Sequence, residues 1–474
     1  MFRKCLAGTV LVLSLSWTVA AQDAKTVIDN ASKAMGADNL KTIQYSGPGS
    51  EFSFGQAPVP GQPWPVFKNK TYMRTVDFEA PAFRIDRVAE PPDLQRRGGG
   101  LAPAQTQTVV FNANTPWPQQ LQIWMTPSGF LKTAASSNAT VKSQTMSGKK
   151  YSVVTFTGKN NAKVNGYIND QNMVEKVETW IDDPMLGDTM LEASYADYKD
   201  FGGVKFPTRI VQKQAGLPIL DLTVTDVKAN AATNIQPPQG RGGAGGAGGG
   251  PPAVSSQKLA DGVYLILPAY AALAVDFKDY IVVIEGPQSE ARATAIIDET
   301  KKLIPNKAIR YVINTHGHFD HSSGLRAFIA EGATIITHQQ NKAYYEKIFA
   351  QPHTLNPDKQ EQAKKKLNIE TMTDKKVLTD GNHVTELHRL QNSLHNEGLI
   401  VAYLPKEKIL VEADAFNPPA QANAPATPNP NNFNLVENLN RLKLDVETII
   451  PIHYPADSRK VTLAELTRIV GRSN

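Results

Sequence analysis

One cysteine, Cys5, stands in a chain of 474 residues, and it falls in a segment that reads as removable. Arg3 and Lys4 precede an apolar stretch, residues 5–20, and Val19-Ala20-Ala21 offers small residues for cleavage before Gln22. Residues 1–21 are therefore expected to be a cleavable signal peptide. Without them no thiol remains, which excludes disulfides, a nucleophilic cysteine and thiolate metal ligands. Long apolar runs are scarce too. Residues 5–20 are short for a membrane span, and Cys5 lies too near the start to carry a lipid, so a soluble periplasmic or secreted protein is expected. Excess charge is slight. Loss of Arg3 and Lys4 takes the formal charge from +5 to +3, and no Lys/Arg block is interleaved with aromatics, so no nucleic-acid groove is expected. Lys364-Lys365-Lys366 reads as the solvated face of a helix.

The length calls for two or three domains. Residues 24–40 place Val27, Ile28, Ala31 and Met35 at helical spacing and close near Gly36. Residues 22–234 are otherwise β-rich. Runs at 108–112, 150–157 and 173–181 are β-branched and apolar, and 174–213 reads as a meander punctuated by Asp182-Asp183-Pro184, Gly187-Asp188 and Phe201-Gly202-Gly203. An antiparallel sheet, curved or half-barrel, with the opening helix on one face is expected. Trp64, Trp117, Trp124 and Trp180 read as core rather than the lining of a cleft, and residues 96–100 as a loop. Residues 235–252, IQPPQGRGGAGGAGGGPP, form a Gly/Pro-rich linker. Glycine there loses most entropy on ordering, and no strand, lysine or helix start flanks it as a phosphate loop requires.

From 253 to 474 strands alternate with helices, and one stretch concentrates the chemistry. In YVINTHGHFDHSSGLR, residues 311–326, a β-branched run ends at Asn314-Thr315. His316, His318, Asp320 and His321 follow within six positions. The chain has only nine histidines, so three in six residues are not a chance polar turn. A strand ending there delivers these side chains to the edge of an open sheet, where such folds place their sites. Imidazole and carboxylate suit zinc and similar divalent ions.

The H-x-H-x-D-H string resembles the metallo-β-lactamase superfamily of hydrolases, over residues of about 253–474. Downstream, NSLHNEGLIVAYLPKEKILVEAD places His395 before a β-hairpin and Asp414 after it, and TIIPIHYPAD places His453 after an apolar run. All seven positions of the family's ligand set are filled in order. The resemblance implies an α+β chain whose C-terminal domain is an αββα sandwich. It implies two Zn2+ per chain, other divalent metals being alternatives: His316, His318 and His395 on one, Asp320, His321 and His453 on the other, and Asp414 between them. A metal-bridging hydroxide would then cleave an ester, lactone, thioester or related bond of a small-molecule substrate, with Asp320 as the catalytic acid–base. Aspartate at 414, rather than cysteine or serine, resembles the glyoxalase-, lactonase- and phosphodiesterase-like members more than true β-lactamases. His318 stands where redox members carry an acid. Competing readings are a β-lactam amide hydrolase and a non-catalytic periplasmic binding protein for an apolar ligand. The N-terminal domain only loosely resembles periplasmic lipoprotein-carrier folds, by rhythm alone.

His338, His353, His383 and His388 lack the context of ligands. Residues 351–376 read as a polar, partly helical insertion bearing on substrate choice. Residues 417–432, NPPAQANAPATPNPNN, read as a loop without helix or strand at the rim of the site, either a lid or an insertion. The sequence does not fix the oligomeric state.

Overall fold

Asp23 opens the first helix, Ala24–Met35, by accepting the Thr26 amide, and Gly36 closes it in a left-handed turn at φ 67°. Any side chain at Gly36 would be strained by that φ and would also lie 2.1 Å from the Gly203 carbonyl oxygen. The helix buries Val27, Ile28, Ala31 and Met35, the four residues its periodicity selects. The computed structural model describes residues 23–90, 104–112, 115–158, 161–233, 235–236, 253–268, 270–422 and 428–471. The expected signal peptide, the 96–100 loop and residues 237–252 of the expected linker lie outside the described residues.

The N-terminal sheet is antiparallel throughout. Its path runs from Ala104–Val110 through Ala82–Ala89, Val66–Asp77, Thr42–Phe52, Leu217–Thr223, Lys205–Gln214, Gly187–Asp200, Val174–Asp183, Lys163–Ile168 and Lys149–Thr157 to Thr140–Met146. A further strand, Asp226–Ala229, pairs with Thr42–Phe52. The meander predicted over 174–213 is present, and the run predicted at 108–112 instead belongs to Ala104–Val110. The helices Ala24–Met35, Trp117–Trp124 and Pro127–Ala135 share one apolar core with the sheet, around Tyr45, Tyr72, Phe130, Phe156 and Phe206. Among the four tryptophans expected in this core, Trp117 and Trp124 pack against it. Trp180 is 36% exposed, and Trp64 is buried in a different cluster, described below.

The C-terminal part has four layers. One sheet orders Ser255–Ala260, Val263–Leu267, Ala272–Asp276, Ile281–Ile284, Ile309–Ile313, Thr334–His338 and Ile369–Met372. Its last four strands run parallel, and the central pair, Ile281–Ile284 and Ile309–Ile313, is almost wholly apolar, as burial on both faces demands. The second sheet orders Lys375–Thr379, Val384–Arg389, Ile400–Leu404, Ile409–Glu412, Thr448–Pro451 and Val461–Thr462. Val263, Leu265, Leu273 and Ile313 meet Leu387, Ala402, Val411 and Ile450 between the sheets. Glu290–Leu303 and Leu325–Ala330 cover the first sheet, and Pro430–Leu442 and Leu463–Ile469 cover the second. This is the expected αββα arrangement. Among the described residues no helix is long and apolar enough to cross a membrane.

Two sequence expectations need correction. Residues 351–376 contain, besides the short helix Lys359–Ala363, the strand Ile369–Met372 and the start of Lys375–Thr379, and their N-terminal part grips the N-terminal sheet. Asp188 accepts the amides of Thr354 and Leu355 and gives its own amide to the Pro352 carbonyl, while His353 bonds Asp182 at 2.8 Å. The polar side chains of this insertion are satisfied across an interface. Residues 430–432 open the helix Pro430–Leu442: Asn429 caps it, and Pro430 occupies the first turn, where its missing N–H costs nothing. Residues 423–427 of that segment lie outside the described residues.

Phe52, Phe54, Trp64, Met185 and Leu186 from the N-terminal part pack in one cluster with Phe319, Phe328 and Tyr345. Phe54, Trp64 and Phe319 stand with ring centroids 5.2–5.6 Å apart. The two parts therefore share buried apolar surface. Replacing Asp188 with Ala should leave two amides and a hydroxyl without their acceptor. We expect roughly 1–3 kcal/mol of lost stability in urea unfolding, and an unchanged midpoint would show that the clamp is not a stabilising contact.

Candidate metal centre

The strand Ile309–Ile313 ends beneath a fully buried polar floor. Asn314 gives its side-chain amide to the His316 and His321 carbonyls at 2.9 and 3.1 Å and accepts from Thr337 and Tyr345. These bonds fold 314–321 back over the strand ends, so that His316, His318, Asp320 and His321 face one point. His395 arrives from the turn before Ile400–Leu404. His453 follows Thr448–Pro451. Asp414 follows Ile409–Glu412 in the left-handed conformation, φ 60°, which a non-glycine residue holds only when its surroundings enforce it. Glu412 supplies part of that enforcement by accepting the Ala415 and Phe416 amides.

All seven residues singled out from the sequence come together, in two groups. His316, His318, His395 and Asp414 form one, and Asp320, His321, His453 and Asp414 the other, with the potential ligand atoms of each within 4.8 Å of one another. Asp414 belongs to both. Its Oδ2 lies 3.5 Å from His316 Nε2, 3.3 Å from His395 Nε2 and 2.8 Å from His321 Nε2, and its Oδ1 lies 3.2 Å from His453 Nε2. His338, His383 and His388 are in neither group.

The ring tautomers follow from the hydrogen bonds on the far side of each ring. Thr315 donates to Glu285 at 2.7 Å, so its oxygen is left to accept from His316 Nδ1 at 3.0 Å. His321 Nδ1 meets the same Glu285 oxygen at 3.2 Å. One buried carboxylate thus orients a histidine of each group and leaves both Nε2 atoms aimed inward. His318 gives Nε2–H to the Ala57 carbonyl at 3.2 Å, and its Nδ1 is buried with no partner. On the inner side, His316 Nε2 faces His395 Nε2, and His321 Nε2 faces His453 Nε2, each pair at 3.2 Å.

Burial, and then the neighbouring rings, press the His316 pKa well below its usual value. Burial and His395 bring His318 to about 3. Burial alone would raise Asp320 and Asp414, but the surrounding imidazoles outweigh it and hold both carboxyls well below the ordinary range. For His321, burial opposes protonation, yet Asp320 and Asp414 together push its pKa well above normal. A proton on His321 and a divalent cation would thus compete for the same carboxylates, and a bound metal would take the place of that proton. The donor set fits metal: ring nitrogens aimed inward, with His316 and His318 held neutral, an orphaned buried nitrogen on His318, and ionised carboxylates.

A family model for the metallo-beta-lactamase superfamily matches residues 282–453. Residues 282–453 are a metallo-β-lactamase superfamily domain. Among solved structures, the chain is similar to the DIM-1 metallo-beta-lactamase, at 15% identity over 46% of this chain and 96% of that one, with a TM-score of 0.35. A metallo-beta-lactamase from Pontibacter korlensis gives 15% identity over 47% of this chain and 100% of that one, also at 0.35. Rubredoxin oxygen:oxidoreductase from Desulfovibrio gigas gives 16% identity over 46% and 61%, at 0.35. No curated protein matches the chain.

Around this superfamily centre stand residues that the sequence reading passed over. Gln56 donates to Asp320 Oδ1 at 2.8 Å, and Tyr270 donates to Asp320 Oδ2 at 3.1 Å with its ring 4.5 Å from that of His453. The Gly55 carbonyl accepts the Phe319 amide, and the Pro58 carbonyl accepts the Glu397 amide. Gly55, at φ 77°, lies so close to Phe319 that a Cβ would meet its ring at 2.5 Å. A segment of the N-terminal part, residues 53–65, is therefore built into the wall of the centre. Glu285 had a readable signal, an acid closing the apolar run IVVIEG. Gln56 had none, being 264 residues from its partner.

Replacing Glu285 with Gln should remove the shared charge that orients His316 and His321 and weaken divalent-metal affinity by about 10–100-fold. Gln56→Ala should shift affinity in the same direction. Competition against a chromogenic chelator measures both, and wild-type affinity in both variants would refute the orienting role.

Proposed function

We propose that the chain is an exported, zinc-dependent hydrolase of an ester, lactone or thioester, with a dinuclear site in which Asp414 joins the two ions. The fold and the buried His/Asp site make a metal-dependent hydrolase of the metallo-β-lactamase superfamily. The observation that carries the dinuclear reading is Asp414, whose carboxylate lies within 3.5 Å of ring nitrogens from both groups. His316 Nε2, His318 Nδ1 and His395 Nε2 would hold one ion, and Asp320, His321 Nε2 and His453 Nε2 the other. Bound there, the ions would ionise a water near neutral pH and polarise the scissile carbonyl.

The remaining work falls to side chains. Asp320 is held ionised with Gln56 on one oxygen and Tyr270 on the other, which suits it to accept a proton and return it to the leaving group. His453 and Asp320 are the partly exposed members of the set, at 27% and 24% of their side chains, while His316, His318 and His321 are buried. Substrate therefore enters on the side of Asp320, His453 and Tyr270. The Tyr270 hydroxyl stands at that opening as a neutral donor, and burial holds its pKa above the ordinary tyrosine range. Export rests on the sequence of residues 1–21, and the choice of esters over β-lactams rests on aspartate at 414.

Metal analysis by plasma mass spectrometry, with hydrolysis of lactones, thioesters, phosphodiesters and β-lactams, tests the reading. Roughly two zinc per chain and chelator-sensitive turnover of a lactone, ester or thioester, both falling in Asp414→Ala, is the expected result. A chain that takes up no metal and turns over nothing would refute it, and preferential β-lactam turnover would refute the substrate class.

A further inference from the structure

Arg292 is a buried cation that the metal centre does not itself contain. It lies in the first turn of the helix Glu290–Leu303 and is 3% exposed. Burial, with no charged neighbour to offset it, brings its pKa down to about 10, so the guanidinium is still charged at neutral pH. In place of a carboxylate it gathers main-chain carbonyls. Its Nη2 donates to Pro268 at 3.1 Å and to Tyr270 at 2.9 Å, and its Nη1 donates to Leu267 at 3.5 Å. These residues end the strand Val263–Leu267 and lead into Ala272–Asp276. A packed apolar side chain would fill the same space at less cost in desolvation. What the planar fork adds is direction, because it holds several acceptors at fixed angles at once.

The contacts close a circuit on Asp320. The Asp320 carbonyl accepts the Gln288 amide at 2.8 Å. Ser289, the next residue, caps the helix by accepting the Arg292 amide at 3.2 Å. Arg292 holds the Tyr270 carbonyl, and the Tyr270 hydroxyl returns to Asp320 Oδ2 at 3.1 Å. On the far side of Tyr270, the Ala271 amide bonds the Ile452 carbonyl at 2.8 Å, and Tyr270 pairs with His453 in a single β-bridge. The phenol is thus pinned from one side by the second sheet and from the other by Arg292, whose own helix start is tied to the main chain of Asp320.

We propose that Arg292 is a positioning residue for Asp320: it fixes the Tyr270 phenol, and the phenol aims the Asp320 carboxylate. Arg292 acts through Tyr270 alone. The role rests on the reading of Asp320 as a metal ligand and acid–base of a hydrolase.

A double-mutant cycle in zinc affinity, measured on the full chain by competition against a chromogenic chelator, tests this. Tyr270→Phe removes only the hydroxyl and should weaken zinc about tenfold or more. Arg292→Lys keeps the charge without the fork, and Arg292→Gln is neutral and reaches fewer carbonyls; each should weaken zinc by a similar factor. In the Tyr270→Phe background either change at 292 should cost less than about a further twofold, because the contact it supports is already gone. Effects that multiply, wild-type affinity in Tyr270→Phe or in both Arg292 variants, or failure of both Arg292 variants to fold would overturn the proposal. Turnover separates this role from the hydrolase reading. In an active chain, kcat should show the same non-additivity with KM unchanged, and multiplying effects on kcat would overturn the proposal. A wild-type chain that binds zinc but hydrolyses no ester, lactone or thioester would refute the hydrolase reading, while the zinc cycle still decides whether Arg292 positions Asp320.

Discussion

Two pairs of imidazole nitrogens stand 3.2 Å apart with one buried carboxylate between them, and this crowding is the constraint on which the rest of the domain depends. Ring nitrogens pressed this close have room for few protons between them, and two carboxylates in a low-dielectric pocket repel one another. A cation shared among them turns that repulsion into attraction. The surrounding structure is arranged to hold the groups in place before that cation arrives. Glu285 follows the apolar strand Ile281–Ile284 at φ 82° and is fully buried. Asp414 sits at φ 60°. Both are conformations that cost of order 1–3 kcal/mol, and both serve to aim a carboxylate. Strain and like-charge crowding at one point are offset by the apolar layers on either side of each sheet.

The same centre explains why the two halves of the chain are joined as they are. The segment 53–65 leaves the end of the strand Thr42–Phe52, crosses the metal-site wall and returns to the N-terminal sheet. Along it the Gly55, Ala57 and Pro58 carbonyls and the Gln56 amide satisfy groups of the second domain. Its aromatic flank, Phe54 and Trp64, packs on Phe319, which sits between two of the histidine ligand candidates. The N-terminal part thus closes one side of the centre and fixes the tautomer of His318.

Much of this was legible in the sequence, for physical reasons that differ by element. Buried parallel strands must be apolar throughout, so IVVI, IRYVI and ILVE announced themselves, and short-range spacing then delivered His316, His318, Asp320 and His321 to one edge. The first helix was readable from its 3.6-residue period and Gly36. Long-range pairing left no such trace. Nothing in a proline-rich stretch such as GQAPVPGQPWP distinguishes a free loop from one docked on another domain. Asp182 and Asp188 read as turn residues although they also bind the 352–356 segment. Asn429-Pro430 has the composition of a loop, and only its position before an amphipathic run marks it as a helix start. Trp64 was assigned to the wrong core because burial was legible while the partner surface was not.

The most direct test of the account is anomalous scattering at the zinc edge from crystals of the zinc-loaded full chain. Two peaks are expected, one among His316, His318 and His395 and one among Asp320, His321 and His453, with Asp414 between them. A single peak held by only one group, or zinc bound elsewhere with these rings still facing one another, would contradict it.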